Sequence, residues 1–345
     1  MYRILIILTA FLIFQSCSSQ KLNRSLSGQS IDLTTQLNTI AFGSCNKTHK
    51  PQVMWNNIAQ HHPDLFIWLG DNVYADTDDM AFMKAKYDAQ KKDTSYQKFI
   101  HQHPVVGIWD DHDYGLNDGG KRYIKKKEAK ALMLDFLDVP KDATVRSREG
   151  AYQSYLWGKV DKKIKLILLD TRYFRDDLEK NLLGSSRYKI NPTGDILGDA
   201  QWAWLENELA KNEATIHIIA SSIQVIATEH GFEKWANFPT ARQRLFDLIQ
   251  QHKPNHTIMM SGDRHISEVA KIDLPNLDYP LYEITSSSLT HAYVKNTGEP
   301  NQYRVGKLVN QNNFALLKIN WKKSAELMVE FRGSENQLYE RLTLN

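Results

Sequence analysis

The sequence has little of the features that would assign a protein class at once. Its 345 residues carry a net charge of only +3, so composition gives no case for binding to nucleic acids. The most apolar stretch, Ile4 to Phe14, is too short to span a bilayer as a helix. No internal repeat, low-complexity block or GxSxG motif is present, so nothing points to a serine nucleophile on a sharp turn. With 42% hydrophobic and 24% charged residues, the chain has the balance of a soluble globular protein.

The first residues resemble a bacterial lipoprotein signal. Arg3 precedes the apolar stretch, which ends in Phe14-Gln15-Ser16-Cys17 and is followed by polar residues. We expect a signal peptide over residues 1–16, lipidation of Cys17, and a tether over residues 17–37. The alternatives are a plain secretory signal and a short anchor that stays uncleaved. Lipidation would hold the exported protein on the bacterial cell envelope, at its periplasmic or outer-membrane face, without a spanning helix.

Cys17 and Cys45 are the only cysteines in the sequence. If Cys17 is acylated, Cys45 has no disulfide partner in the chain, and a leftover thiol in an exported protein needs an explanation. Burial as a small apolar residue is one explanation, and metal ligation is the other. The polar neighbours Ser44 and Asn46, directly after an apolar run, favour metal ligation.

Apolar runs of strand length alternate with helical patterns, which predicts an α/β fold. The predicted strands are 39–42, 65–69, 105–109, 164–169, 216–220, 257–260, 281–284, 314–319 and 326–331. The predicted helices are Val53 to Gln60, Glu128 to Leu137, Ala200 to Lys211 and Ala241 to His252. The segment from Lys180 to Asp199 lacks periodicity and is expected to form a long loop.

Residues of metal-ligand type directly follow five of these runs. The five endings are Gly43-Ser44-Cys45-Asn46, Gly70-Asp71-Asn72-Val73-Tyr74, Asp110-Asp111-His112-Asp113, Asp170-Thr171-Arg172-Tyr173 and Ser261-Gly262-Asp263-Arg264-His265. Ligand sites in open α/β sheets lie at the carboxyl ends of strands, so five such endings predict one shared site. The third ending packs three carboxylates together, and like charges this close repel unless a cation lies among them.

Taken together, these motifs resemble the PhoD-like alkaline phosphatases and phosphodiesterases of the metallophosphatase superfamily. The matching pieces, in chain order, are GSC, GDNVY, WDDHDYGLND, LDTRYFR, EKWANFP and SGDRHISE, which span roughly residues 39–290. The resemblance implies a four-layer α/β/β/α sandwich with mixed sheets, formed by a catalytic domain over residues 38–345. It also implies a dinuclear metal site, with Fe(III) and Ca(II) expected and other divalent ions as alternatives.

Carried over residue by residue, Cys45, Asp71, Tyr74 and His265 resemble the ligands of the first metal. Thiolate, carboxylate, phenolate and imidazole together form a strongly anionic set that suits Fe(III).

The resemblance makes Asp71 a bridge to a second metal, with further oxygen ligands from Asp111, Asn117 and Asp263. An all-oxygen set suits calcium or magnesium better than zinc. Because Asp263 and His265 are two residues apart, both would point the same way on an extended strand end and could reach adjacent metals.

His112 is expected to protonate the leaving group or to bind a phosphate oxygen. Arg172 is expected to hold the phosphate, because the guanidinium fork matches phosphate oxygens. Arg264 alternates with two predicted ligands and is therefore expected to point away from the metals. Trp235 and Asn237 lie in the EKWANFP motif, where either substrate contact, expected for Trp235, or local packing would explain them. Taken singly, each residue also fits a structural role, such as a salt bridge for Arg172; their joint occurrence favours a site.

The predicted activity is hydrolysis of phosphomonoesters and/or phosphodiesters by a hydroxide that two metals activate. The alternatives are a phospholipase-type or nucleotide phosphodiesterase and, outside enzymes, a surface lipoprotein that uses the fold as a binding module. The expected partners are a phosphate-ester substrate and the membrane surface reached through Cys17. The sequence indicates no nucleic-acid-binding module and no protein partner.

Overall fold

A computed structural model gives the fold of residues 32–344, with the exception of residues 185, 297, 323 and 324. The predicted signal peptide, Cys17 and most of the predicted tether lie outside the described residues. Within the described ranges, no helix combines the length and the apolar character needed to cross a membrane.

The strands and helices alternate for much of the chain. The strands are β1 (Thr39–Gly43), β2 (Leu65–Leu69), β3 (Val105–Ile108), β4 (Gln153–Trp157), β5 (Ile164–Leu168), β6 (Ile216–Ala220), β7 (Thr257–Ser261), β8 (Ser267–Ile272), β9 (Leu281–Ser286), β10 (Arg304–Val309), β11 (Asn313–Trp321), β12 (Ala325–Gly333) and β13 (Leu338–Leu344). The helices are α1 (Met54–Ala59), α2 (Met80–Lys92), α3 (Thr94–Gln102), α4 (Asp111–Tyr114), α5 (Lys126–Phe136), α6 (Thr144–Ser147), α7 (Gly198–Ala210) and α8 (Pro239–His252), with a 3₁₀ helix at Trp235–Asn237.

The strands form two mixed sheets. The first has the order β13-β12-β11-β1-β2-β3, and the second has the order β10-β8-β9-β7-β6-β5-β4. Strands β1, β2 and β3 are parallel, as are β5, β6, β7 and β9, and the remaining strands pair antiparallel. The parallel strands deliver the predicted ligands to one edge.

The two sheets pack face to face, with helices on both outer faces. Apolar side chains of both sheets, such as Ile67 and Ile218, share the central core. Helices α1, α3 and α5 cover the outer face of the first sheet, and α7 and α8 cover that of the second. The predicted four-layer α/β/β/α sandwich is confirmed.

Every predicted strand and helix is present, but the sequence reasoning missed other elements. Helices α2 and α3 begin at Asp79 and Asp93, whose carboxylates accept backbone N–H groups of the first turn. The missed strands are β4, β8, β10 and β13, of which β10 and β13 are partly exposed edge strands without a clear apolar alternation. The described residues of the segment from Lys180 to Asp199 contain only turns, bends and one isolated bridge, Lys180 with Tyr188, before α7 begins.

Strand β1 begins at the edge of the sheet opposite to the strand ends that carry the predicted ligands. Asp64, which lies directly before β2, accepts hydrogen bonds from the backbone N–H groups of Asn38 (2.7 Å) and Thr39 (2.9 Å), where β1 begins.

Candidate metal centre

Four of the predicted ligands adopt a left-handed backbone conformation. The φ angles are 61° for Cys45, 50° for Asp71, 66° for Asp263 and 53° for His265. Non-glycine residues rarely adopt this conformation, and those that do cluster at functional sites. Each of the four follows a strand end, where the chain turns sharply at the shared edge of the sheets.

The structure brings together the predicted ligand set of the first metal. The ligand atoms of Cys45, Asp71 and His265 all lie within 4.8 Å of one another. The Cys45 Sγ lies 3.4 Å from Asp71 Oδ2. The Tyr74 hydroxyl lies 3.0 Å from both Asp71 Oδ2 and His265 Nε2.

The electrostatics of this set fit a bound cation. Burial and, to a smaller extent, the charge of the Asp71 carboxylate raise the pKa of Cys45 and of Tyr74 well above their usual values. Burial also raises the pKa of Asp71 well above its usual value. Burial, with the nearby His112 and other cationic groups, lowers the pKa of His265 to about 4. A metal ion would stabilise the ionised thiol, phenol and carboxyl groups and would bind a neutral imidazole.

Two further ligand groups overlap with the first. One combines Asp71, Asp111 and His112, and the other combines Asp110, Asp111 and Asp263. Asp71 and Asp111 are each shared by two groups, so the three groups form one continuous centre. Burial, with the nearby Asp111 carboxylate, raises the pKa of Asp263 to about 7, as expected for closely packed buried carboxylates.

Asn117 and Asp113, which both follow β3, lie in different surroundings. Asn117 is exposed and lines the cavity beside the centre, where its Nδ2 donates to Asp118 Oδ2 at 2.7 Å. Asp113 is buried and accepts the backbone N–H groups of Asp110 (2.7 Å), Asp71 (3.2 Å) and Asn72 (3.2 Å). Asp113 therefore ties the loops after β2 and β3 together and fixes the ligands that they carry.

His112 lies at the boundary between the ligand groups and the cavity. Its Nδ1 is 2.7–2.8 Å from the Asp76 carboxylate, and its ring packs on Tyr74 with a centroid distance of 4.1 Å. Burial alone would lower the pKa of His112, but Asp71, Asp76 and Asp111 raise it to about 10. His112 therefore has a carboxylate partner at Nδ1 and lies beside the cavity.

A cavity of about 370 Å³ opens in front of the centre. Its lining residues are Asp111, His112, Asn117, Asp118, Arg187, Phe232, Glu233, Asp263, Arg264, His265 and Tyr293. The lining thus combines carboxylates and imidazoles with aromatic rings and guanidinium groups.

The structure contradicts the expectation that Arg172 holds the phosphate. Arg172 is fully buried and does not line the cavity. Its guanidinium forms ion pairs with Asp110 (2.5 Å) and Glu233 (2.6 Å), both of which are also buried. The structural alternative for Arg172, a salt bridge, is the one observed, and its partner Asp110 belongs to one of the ligand groups.

The expectation of substrate contact by Trp235 is also contradicted. Trp235 is fully buried, and its Nε1–H donates to Ser221 Oγ at 3.0 Å. Asn237 is buried too, and its Oδ1 accepts the backbone N–H of Lys234. The EKWANFP motif therefore packs the protein locally at these two positions.

Arg264 was predicted to point away from the metals, but the structure places it in the lining of the cavity beside the centre. It lines the same cavity as Asp263 and His265, pairs with Glu299 (2.6 and 2.8 Å) and lies over the Phe232 ring. The strand alternation assumed for these residues does not apply, because β7 ends at Ser261 and the next residues form a turn.

Sequence reasoning missed His291, Ser287 and Asp76. His291 Nε2 lies 3.1 Å from the Tyr74 hydroxyl, and Ser287 Oγ lies 3.0 Å from Cys45 Sγ. Both residues follow β9, which is parallel to its neighbour β7. Polar residues after this seventh parallel strand were the available signal for His291 and Ser287. No comparable signal marked Asp76, whose role depends on its contact with His112.

A family model described as PhoD-like phosphatase matches residues 40–337. The chain belongs to the PhoD-like phosphatase family. Alkaline phosphatase D of Bacillus subtilis (strain 168) is 24% identical over 289 residues, which cover 73% of this chain and 48% of the relative. The chain thus spans about half the length of this curated relative.

Solved structures share the fold of this PhoD-like chain. A structure of PhoD has a TM-score of 0.68 at 16% identity and covers 90% of this chain and 73% of its own. A dimetal phosphatase from Danio rerio has a TM-score of 0.57 at 11% identity, with coverages of 90% and 99%. GAP50, described as the anchor in the inner membrane complex of Plasmodium, has a TM-score of 0.56 at 14% identity, with coverages of 90% and 89%. The family membership and the overlapping ligand groups together support a metal site in this chain.

Proposed function

We propose that this protein is a metal-dependent hydrolase of phosphomonoesters and/or phosphodiesters, with Fe(III) and Ca(II) as its metals. The observation that carries the proposal is the overlap of three ligand groups, joined by Asp71 and Asp111, at the wall of one cavity. Cys45, Asp71, Tyr74 and His265 would hold the ferric ion. Asp71 would bridge to the calcium ion, with Asp111, Asn117 and Asp263 as further ligands.

The residues of the chain divide the chemistry among them. When bound, the two metals would supply positive charge to the phosphate and acidify a water molecule to hydroxide. The Asp76 carboxylate holds Nδ1 of His112, which leaves Nε2 to give a proton to the departing alkoxide. Arg264 and Arg187 contribute positive charge to the cavity wall that would face an anionic substrate.

Removal of the metals is the direct test of this proposal. Exhaustive dialysis against a chelator is expected to abolish hydrolysis of an aryl phosphate ester, and addition of Fe(III) with Ca(II) is expected to restore it. A phenolate ligand on ferric iron gives a visible charge-transfer band, which should disappear and return with activity. Full activity in a protein with no bound metal by elemental analysis would contradict the proposal. Activity without iron or a visible band would contradict only the ferric assignment.

Replacement of His112 should affect substrates according to their leaving groups. His112→Asn is expected to lower kcat about 100-fold on an alkyl phosphate ester, whose alkoxide needs a proton. The effect on p-nitrophenyl phosphate should be much smaller, because p-nitrophenolate leaves without protonation. The measurement is the ratio of the two kcat values, and Asp76→Asn should change it in the same direction by less. Equal losses on both substrates would argue against proton donation by His112.

A binding role is the second candidate function, because the Plasmodium anchor GAP50 shares the fold. The complete ligand groups of this chain favour hydrolysis over binding alone. Phospholipase-type and nucleotide phosphodiesterase activities stay alternatives within the proposed chemistry, and a panel of mono- and diesters separates them.

We further propose residues 38–345 as one catalytic domain and Cys17 as a lipid anchor on the cell envelope. Strand β1 begins at the edge opposite the ligand-bearing strand ends, so a lipidated tether would join the domain away from the cavity. Mass spectrometry of the mature N-terminus tests the anchor, which an unmodified Cys17 would rule out.

A further inference from the structure

His291 occupies a position next to the proposed metal centre but outside the three ligand groups. It lies after β9, and its Nε2 is 3.1 Å from the Tyr74 hydroxyl. Its ring lies edge-to-face against His265, with a centroid distance of 4.2 Å. The group of ligand atoms within 4.8 Å of one another contains Cys45, Asp71 and His265 but not His291. His291 therefore contacts a predicted ligand without belonging to any of the three ligand groups.

The surroundings of the Tyr74 oxygen define what His291 can do there. Besides His291, this oxygen contacts Asp71 Oδ2 and His265 Nε2, each at 3.0 Å. Once Tyr74 binds a metal as a phenolate, its oxygen has no proton and can only accept hydrogen bonds. An imidazole that faces this oxygen through Nε2 must then carry its proton on Nε2.

The contact with Thr290 is compatible with this tautomer of His291. The Thr290 hydroxyl accepts the backbone N–H of Lys47 at 2.7 Å, so its own proton is available for donation. The acceptors in reach are His291 Nδ1 and the Cys45 carbonyl oxygen, each at 3.3 Å. Donation to Nδ1 leaves the imidazole proton on Nε2, which faces Tyr74. Thr290 thus links the Cys45 loop to the Tyr74 phenol through His291.

We propose that His291 is a positioning residue that donates a hydrogen bond from Nε2 to the Tyr74 phenolate and tunes the bond between Tyr74 and the metal. This inference rests on the proposed function, because it requires the metal centre. The hydrogen bond orients the phenolate ring and withdraws negative charge from its oxygen. Lys47, whose Nζ lies 4.8 Å from the centroid of the Tyr74 ring, favours the same charge state from another side.

The test uses the full chain, stripped of metal and reconstituted with Fe(III) and Ca(II). In His291→Ala, the phenolate is a stronger electron donor, so the visible band should move to longer wavelength and the reduction potential of the iron should become more negative. Activity should fall about 10-fold, as is typical for loss of a hydrogen bond to a metal ligand. His291→Gln, which keeps an N–H donor, should return the band toward the wild-type position. Thr290→Val should shift the band in the same direction as His291→Ala but less.

The controls separate this inference from folding defects and from the proposed function. His230→Ala removes another buried histidine and should leave the band in place. In a Tyr74→Phe background, His291→Ala should have no further effect on iron affinity, because the group through which His291 acts is absent. A wild-type band that is unchanged in His291→Ala, or an added loss of iron affinity in the Tyr74→Phe background, would overturn the role of His291 alone. Absence of any metal-dependent band in the wild type would overturn the ferric centre, and this inference with it.

Discussion

Asp71→Asn is expected to reduce turnover of an aryl phosphate ester about 1000-fold, which corresponds to about 4 kcal/mol of lost transition-state stabilisation. Asp71 is the residue that the ligand group of Cys45 and His265 shares with the group of Asp111 and His112. An amide in its place keeps the shape of the side chain but removes the negative charge that both metals would share. Asparagine also tolerates the left-handed backbone at this position (φ 50°), so the fold should be retained.

Initial rates, metal content and circular dichroism of the Asp71→Asn protein provide the measurement. Asp64→Asn is the matched control, because it makes the same chemical change at the opposite edge of the sheet. We expect its turnover to stay within about twofold of wild type, as for a surface change away from the site. A nearly wild-type rate in Asp71→Asn, with both metals retained, would contradict a shared ligand. If Asp71→Asn loses turnover but still binds a product analogue fully, the result would distinguish an enzyme from a protein that only binds.

Arg172→Met should cost about 3–5 kcal/mol in free energy of unfolding, as expected when one partner of a buried ion pair is removed. The substitution leaves the fully buried Asp110 without its cation, whereas Glu233 retains Arg175 at 2.8 Å. Burial raises the pKa of Asp110 well above its usual value, and Arg172 opposes that shift. In the variant this pKa rises further, so the stability deficit should shrink as the pH falls and Asp110 becomes protonated.

Urea denaturation at several pH values measures this deficit. Arg187→Met serves as the control, because Arg187 lines the cavity, is about half exposed (49%) and pairs with Asp118 at 3.0 Å. This control should lose less than about 1 kcal/mol of stability, since exposed ion pairs contribute little. A higher KM with unchanged stability in Arg172→Met would instead support the expectation from the sequence that Arg172 holds the phosphate.

Local sequence patterns identified the buried parallel strands, but they missed the outer strands β4, β10 and β13 and the interior strand β8. The buried parallel strands, such as β2 and β6, appear in the sequence as short apolar runs bounded by polar residues. Strands β10 and β13 are partly exposed, and α2 buries only Met83, Tyr87 and Gln90. Their positions therefore depend on tertiary pairing and on the Asp79 cap.

For the site, the sequence predicted which residues meet but not which way they face. Cys45, Asp71 and His265 come together because each follows the end of a parallel strand. Arg172 also follows such an end, yet the buried carboxylates of Asp110 and Glu233 draw its side chain inward. These two partners lie 62 and 61 residues away in the chain, beyond the reach of a local pattern.

The left-handed backbone at four predicted ligands links metal acquisition to folding. Such residues cost on the order of 1–3 kcal/mol each, against a total stability of about 5–15 kcal/mol for a typical domain. The unfolded chain bears none of this strain and offers no assembled site, so a metal that binds only the folded state shifts the folding equilibrium toward it. The metal supply of the compartment in which the chain folds would therefore govern how much folded protein accumulates there, as well as how active each molecule is.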